Sequence, residues 1–447
     1  MTLLHEFAAY AAAESNSAGD ADVMHHAKRA VLDWVASLYP GTRRPPTTLL
    51  AKACHDELGV GQSRVLGFGT TAFPPTAAWI NGSAAHTVEF DDIYREAVYH
   101  PGSPTIAAAL AVAQAKKASG RAFVQAIVAG YEISTRVGAA LQPSHVRYFH
   151  ATGTMGCLGA AAAAAVLVAR GDAETIAHAL ATAATFASGL QQALRSDAMT
   201  KPLHAGHAAA VGVRAALAAS CGVKGALDIL EGEVGLGAAM ADAPVWAQAT
   251  HELGATYHIA RITHKVHACC GHLFPAIDAT LSLRSTYGTA LSAVERILVE
   301  TYQTAIDATG RFDPRNSYEA KFSLPFAVSH ALIHGSVGLD AFASERMNDE
   351  SVRSLMSRCT LQTDTVMSAS FPARRCARVT VTIIDGRQVS GSVTHRRGDP
   401  ESPLSDDDLN RKFDALCTPV VGHDQARRLR EQIWQLDSID VAEVAFV

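Results

Sequence analysis

Apolar residues in the first half of the chain recur with the period of an α-helix. The segment ADVMHHAKRAVLDWVASLY (21–39) has one apolar and one polar face, and residues 1–38 as a whole have a helical pattern. From Thr105 to about Cys221, alanine-rich apolar runs follow one another, and each is bounded by a glycine near its end. Small side chains let helix axes approach closely. This half is therefore predicted to be all-helical.

The pattern then changes to one of alternating apolar and polar residues. RILVETYQTAI (296–306) and CARVTVTIIDGRQVSGSVTH (376–395) alternate as strands do, and Asp385-Gly386 predicts a hairpin turn. Glycine-rich GVGQSRVLGFGT (59–70) predicts a short hairpin, and the tail is helical again, with Ser405 as an N-cap. We predict a mainly α protein, in which residues 1–267 and 396–447 form a large all-helical domain and an α+β lid domain, 268–395, is inserted between them.

Composition and net charge limit the classes of function that this protein can have. The 447 residues are 48% hydrophobic and 18% charged, with a net charge of −5; nucleic-acid binding is not expected, because it needs a basic surface. The most apolar stretch (159–169) is too short to cross a membrane, and the N-terminus has no basic region of the kind that begins a signal peptide. Eight scattered cysteines indicate reduced thiols in the cytoplasm. We therefore expect a cytoplasmic protein with a small-molecule ligand.

The stretch HTVEFDDIYREAVYHPGSP (86–104) concentrates acids and imidazoles in a segment that has to bend. Four carboxylates lie between two histidines, and prolines end any helix near His100. His100 precedes a helix start, where free N–H groups attract anions. The segment is either a carboxylate-binding wall or a solvated loop whose acids cap helices; its acids and histidines are His86, Glu89, Asp91, Asp92, Glu96 and His100.

Two further helix starts carry polar residues. His150 stands before Ala-Thr-Gly-Thr and an apolar helix, as a site residue or as a packed, hydrogen-bonded histidine. Lys201 lies in an apolar segment bent by a proline, where burial would disfavour its charge, unless it extends to the surface.

A run of three histidines and two cysteines, between His264 and His272, makes metal binding an alternative to enzymatic function. Its spacing fits no standard zinc framework, so we favour a polar junction in which Lys265 or His272 faces a cleft, with no metal site. Arg311 begins a segment whose cations could bind carboxylates, or which is a charged loop before a buried helix.

Taken together, six blocks in order along the chain resemble the MmgE/PrpD family. They are WINGSAAHTVEFDD with YHPGSP, FHATGTMGCLGAAAAAA, TKPLHAGHAA, HKVHACCGHLFPAIDA, YEAKFSLPFAV and GDPESPLSDDDLNRKF. The resemblance implies a helical domain with an inserted lid, a homodimer, no cofactor and a polycarboxylate substrate. It also implies activity as a 2-methylcitrate dehydratase, a cis-aconitate decarboxylase or an iminodisuccinate epimerase.

The resemblance assigns roles to particular residues. His100, His150 and Lys201 match polar site positions of the family, Asp91 and Asp92 match its acidic pair, and Glu89 stands beside them. With the residues named above, we expect catalytic roles for His100, His150, Lys201 and Asp91, and substrate contacts for Glu89, Asp92, His86, Lys265, His272 and Arg311. The chain departs from the family pattern at Glu89, often aspartate; at Phe274, often histidine; and at Phe326, often tyrosine. Because the departures at Phe274 and Phe326 remove possible acids, we expect an iminodisuccinate epimerase rather than a dehydratase or decarboxylase.

All these reactions build negative charge next to a carboxylate, so fixed cations and hydrogen-bond donors are needed where that charge develops. An epimerase without a cofactor also needs two bases, on opposite faces of one carbon. His100, His150 and Lys201 are expected to include them.

Overall fold

The computed structural model describes residues 2–17, 19–169, 171–195, 198–288 and 293–447. Contacts between Cα atoms divide the chain into two compact units, Met1–His264 with Ser405–Val447, and Lys265–Leu404. The lid boundaries predicted from the sequence, 268–395, fall inside the second unit.

Helices build the first unit, together with one small hairpin. The helices that precede the second unit are α1 (Leu3–Asn16), α2 (Ala21–Gly41), α3 (Thr47–Ala53), α4 (Pro74–Thr87), α5 (Gly102–Lys116), α6 (Gly120–Ala140), α7 (Ala151–Ala169), α8 (Ala173–Thr185), α9 (Gln192–Arg195), α10 (Thr200–Ser220) and α11 (Leu236–Met240). Strands β1 (Leu58–Val65) and β2 (Thr70–Ala72) pair antiparallel and confirm the hairpin predicted over 59–70.

The second unit combines a four-stranded sheet with short helices. Its helices are α12 (Phe274–Tyr287), α13 (Gln303–Thr309), α14 (Ser317–Ala320), α15 (Leu324–His334), α16 (Ser344–Met347), α17 (Glu350–Met356) and α18 (Thr365–Ser370). Its strands are β3 (Val294–Thr301), β4 (Cys359–Thr363), β5 (Ala377–Ile383) and β6 (Gln388–Val393), in the order β4-β3-β5-β6. Strands β3 and β4 are parallel and the other pairs antiparallel.

The hairpin predicted at Asp385-Gly386 is confirmed, because β5 and β6 pair on either side of it. The strand predicted over 296–306 is right only as far as Thr301, since the following residues form α13.

The chain ends with two helices of the first unit, α19 (Asp406–Val421) and α20 (His423–Trp434). The predicted N-cap is confirmed: the Ser405 side chain accepts a hydrogen bond from the backbone N–H of Asp408, and the Asp408 carboxylate accepts one from the N–H of Ser405.

Small residues let α4, α7 and α10 pack at short range. A Cβ atom added at Gly206 of α10 would lie 2.1 Å from the Trp79 carbonyl oxygen of α4. One added at Gly212 would lie 2.4 Å from the Ala160 Cβ of α7. Neither position has room for a side chain, so glycine sets the distances between the helices that carry the candidate site.

Helix α7 is longer than the apolar stretch predicted from the sequence. At 19 residues it is long and apolar enough to cross a membrane, but 89% of its most apolar window is buried inside the structure. A helix so enclosed by protein has the character of a core helix.

Replacing Gly206 by alanine tests this close packing. In an unconstrained helix alanine is favoured over glycine by about 1 kcal/mol. Here the added methyl meets a backbone carbonyl that cannot rotate away, so we expect the free energy of unfolding to fall by about 1–3 kcal/mol. Urea titration of G206A beside R214A, at an exposed position of the same helix, measures this. A G206A protein as stable as the wild type would show that α4 and α10 separate at no cost.

Candidate active site

Four helix ends meet around a set of ionisable side chains in the first unit. His86 lies in the last turn of α4, and Lys201 lies in the first turn of α10. His100 and His150 stand just before α5 and α7. The N-terminal ends of three helices thus approach one region, and their unpaired N–H groups favour negative charge there.

Asp91 is the centre of this set. Its Oδ2 atom lies 2.7 Å from His86 Nδ1 and 3.4 Å from His100 Nδ1, and it accepts a hydrogen bond of 2.8 Å from the Ser103 hydroxyl. Asp91 is only 1% exposed. Burial by itself would raise the pKa of Asp91, but His86 and His100 outweigh it and hold that pKa well below its usual value. Asp91 is therefore a carboxylate that stays ionised and orients two imidazoles.

Contacts between imidazole rings extend this set of side chains away from Asp91. The His86 ring lies 4.8 Å from that of His100 and 5.6 Å from that of His150, between centroids. His150 Nδ1 lies 3.1 Å from His204 Nδ1. Burial, reinforced by the neighbouring histidines and Lys201, lowers the pKa of His150 well below its usual value and that of His204 to about 4. Both are therefore neutral imidazoles near pH 7.

Lys201 pairs with Glu89. The Lys201 ammonium donates to the Glu89 carboxylate, and both side chains are more than nine-tenths buried. Glu89 has a backbone φ of +61°, in the left-handed region that side chains other than glycine seldom adopt. This strained turn directs the carboxylate toward α10, and such strain is concentrated at functional sites.

Asp92 has a different environment from Asp91. Its carboxylate accepts hydrogen bonds from the Tyr131 hydroxyl at 2.7 Å and the Gly102 N–H at 3.0 Å. Burial, with Asp33 nearby, raises the pKa of Asp92 to about 8. These contacts place the Asp92 carboxyl group at the start of α5, and the substrate contact predicted for it stays a prediction.

The structure thus brings together Asp91, His86, His100, His150, Glu89 and Lys201 from the predicted set. Sequence reasoning gave no role to His204, Ser103 or Thr152, whose hydroxyl accepts a hydrogen bond from the His100 N–H. His204 follows Lys201 by three residues on α10, and this helical spacing is the signal that could have found it.

The remaining predicted contacts belong to the second unit. Lys265 is 2% exposed. His272 Nδ1 lies 2.7 Å from the Tyr302 hydroxyl, and burial, with Arg375 and Arg396, lowers the pKa of His272 to about 3. Arg311 forms an ion pair with Glu319 at 2.6 Å and is half exposed, as the alternative of a charged loop predicted.

The His/Cys run does not gather into one set of metal ligands in the part of the chain that the structure describes. His264 lies 3.7 Å from Asp33, His267 lies 2.9 Å from Asp278, and His272 contacts Tyr302. His86, Asp91 and His100 do have potential ligand atoms within 4.8 Å of one another. A hydrogen bond between His86 and Asp91 and an ion-pair contact between His100 and Asp91 account for that spacing.

The model of the MmgE/PrpD N-terminal domain matches residues 5–249, and that of the C-terminal domain matches residues 267–438. The chain belongs to the MmgE/PrpD family. Curated relatives extend the match over nearly the whole length of this MmgE/PrpD protein. A cis-aconitate decarboxylase-like protein, oryM, of Aspergillus oryzae is 28% identical over 95% of this chain and 92% of its own. Cis-aconitate decarboxylases of Homo sapiens and Aspergillus terreus are 26% and 24% identical, over 94% and 95% of this chain and 89% and 92% of theirs.

Replacing His204 by glutamine tests the neutral state of the buried imidazole. The ordinary pKa of 6.5 applies to the unfolded chain and about 4 to the folded one. Between these values the unfolded chain binds more protons, so the stability that this group contributes is present above about pH 6.5 and lost as the pH falls toward 4. We expect H204Q to lose less stability than the wild type between pH 7 and pH 4.5.

Urea unfolding at the two pH values measures that difference. The matched control is H251Q, because the His251 side chain is 75% exposed; its loss should equal that of the wild type. An H204Q protein with an unchanged loss would mean that His204 titrates normally in the folded state.

Proposed function

We propose that this protein is a lyase that decarboxylates an unsaturated tricarboxylate of the cis-aconitate type, with no cofactor. The family membership supports a polycarboxylate substrate, and the names of the relatives support decarboxylation. They give no support to the iminodisuccinate epimerase expected from the departures at Phe274 and Phe326, and decarboxylation replaces it here as the main interpretation.

The observation that carries the proposal is the continuous contact from Asp91 through His86 and His150 to His204, with Lys201 close by. Decarboxylation breaks a C–C bond, releases CO₂ and leaves an electron pair shared with a neighbouring conjugated carboxylate. One proton then has to be delivered to carbon. A single run of imidazoles suits delivery to one face, whereas an epimerase needs carriers on two faces.

Lys201 and the helix starts have the charge that the intermediate requires. A fixed ammonium and backbone N–H groups stabilise negative charge where it develops, without having to reorganise as water would. The Glu89 carboxylate holds the ammonium in place before substrate arrives. The site residues therefore supply charge stabilisation and proton transfer, the two functions that the reaction needs.

Proton NMR in heavy water tests the reaction. Wild-type protein with cis-aconitate should release CO₂ and give a product with one deuterium per molecule at the newly protonated carbon. Parallel samples contain 2-methylcitrate and iminodisuccinate. Loss of water from 2-methylcitrate, or exchange and interconversion of iminodisuccinate isomers, with cis-aconitate unchanged, would overturn the proposal in favour of the dehydratase or the epimerase.

Single substitutions test the assigned residues. We expect K201M and H150Q each to lower kcat by about a hundredfold or more, the range for loss of a proton-transfer or charge-stabilising group. Lys224 is 73% exposed, and K224M is the matched control with unchanged turnover. Circular dichroism should show native helix content in all three. Near-normal rates in both K201M and H150Q would remove these residues from the mechanism.

A further inference from the structure

Lys412 joins the C-terminal helix α19 to the bend that carries Glu89 and Asp91. Its ammonium donates to the Asp33 carboxylate of α2 at 2.6 Å and to the Phe90 carbonyl oxygen at 2.8 Å. The same ammonium lies 4.4 Å from the centroid of the Phe90 ring. The Lys412 side chain is 7% exposed and that of Asp33 is fully buried. A lysine buried to this degree, with three fixed contacts, is not a mobile surface group.

The bond to the Phe90 carbonyl acts directly on the candidate site. That carbonyl belongs to the planar peptide group between Phe90 and Asp91, so a donor that fixes the oxygen also fixes the plane from which the Asp91 Cα departs. On the other side of Phe90 stands Glu89, with its φ of +61°. A strained backbone persists only where surrounding contacts hold it. Lys412 provides such a contact at Phe90, which lies one residue from each of the two carboxylates.

The bond to Asp33 explains why the ammonium stays buried. Asp33 also lies 3.7 Å from His264, and Lys412 and His264 together outweigh burial and lower the pKa of Asp33. An ion pair of this kind can often be replaced by uncharged groups without loss of stability, whereas removal of one partner is strongly destabilising. The ion pair and the contact with the carbonyl can therefore be separated by mutation.

We propose that Lys412 is a positioning residue for the active site, which holds the Phe90–Asp91 peptide group so that Asp91 meets His86 and His100 and Glu89 meets Lys201. Lys412 contacts the residue next to Asp91 and acts on the site through Asp91. The effect on turnover rests on the proposed function, and the effect on the backbone of residues 88–94 does not.

The first experiment compares K412M with K28M. Lys28 also joins α2 to the C-terminal segment, by a 3.0 Å ion pair with Asp437, and this ion pair involves no residue of 86–104. In K412M we expect amide hydrogen exchange in peptides covering 86–104 to accelerate about tenfold, and kcat to fall about tenfold or more with a smaller change in KM, because misplaced groups act mainly in the transition state. K28M should change neither.

The second experiment separates positioning from stability, and it also decides the case in which K412M fails to fold. The double variant D33N/K412M removes both charges of the ion pair, so it should regain the urea midpoint of the wild type. If Lys412 positions the bend, kcat stays at least about tenfold low and exchange in 86–104 stays fast. Recovery of both kcat and exchange to within about twofold of the wild type would overturn the proposal and leave Lys412 a purely stabilising residue.

The two readouts also separate this inference from the proposed function. Should the wild type leave cis-aconitate unchanged, the proposed reaction fails, while amide exchange still shows whether Lys412 holds the bend. Equal exchange in K412M and the wild type would end the inference even for an active decarboxylase.

Discussion

A charged carboxylate in the interior of a helical unit is the constraint on which the candidate site depends. An ion removed from water is tolerated only when partners replace its hydration. Asp91 has these partners in two imidazoles and a hydroxyl, and they hold its pKa well below the ordinary value. The same contacts fix the orientation of His86 and His100. The same contacts therefore determine both where the proton carriers lie and whether the carboxylate is ionised.

The neighbouring carboxyl group shows that the pKa of each acid is determined by its own immediate contacts. Asp92 follows Asp91 directly, yet burial raises its pKa to about 8 and its contacts are a tyrosine hydroxyl and a helix start. Successive residues of an extended chain point to opposite sides, so the bend presents one acid to the imidazoles and the other to the interior. Adjacent acids with pKa values pushed apart are a common feature of sites that transfer protons.

This difference marks the limit of what the sequence could predict. The helical period, the alternation around Asp385 and the Ser405 cap depend on neighbouring residues, and the structure follows them. The gathering of His86, Asp91, His100 and His150 required the family resemblance, since these residues are up to 64 positions apart. Which side of the bend each acid faces depends on the left-handed φ of Glu89 and on Lys412, more than 300 residues away, and neither leaves a local pattern.

The contact between His150 and His204 sets a further condition on the chemistry. Two Nδ1 atoms at 3.1 Å can share a hydrogen bond only if one carries a proton and the other does not. Both rings are neutral near pH 7, so they must be opposite tautomers. His204 also lines an open cavity of about 560 Å³, together with Trp79 and Leu190. In the proposed reaction each turnover consumes a proton at carbon, and water has to replace it. A pair of neutral imidazoles between that cavity and His86 can pass such a proton inward without placing a permanent positive charge beside Lys201.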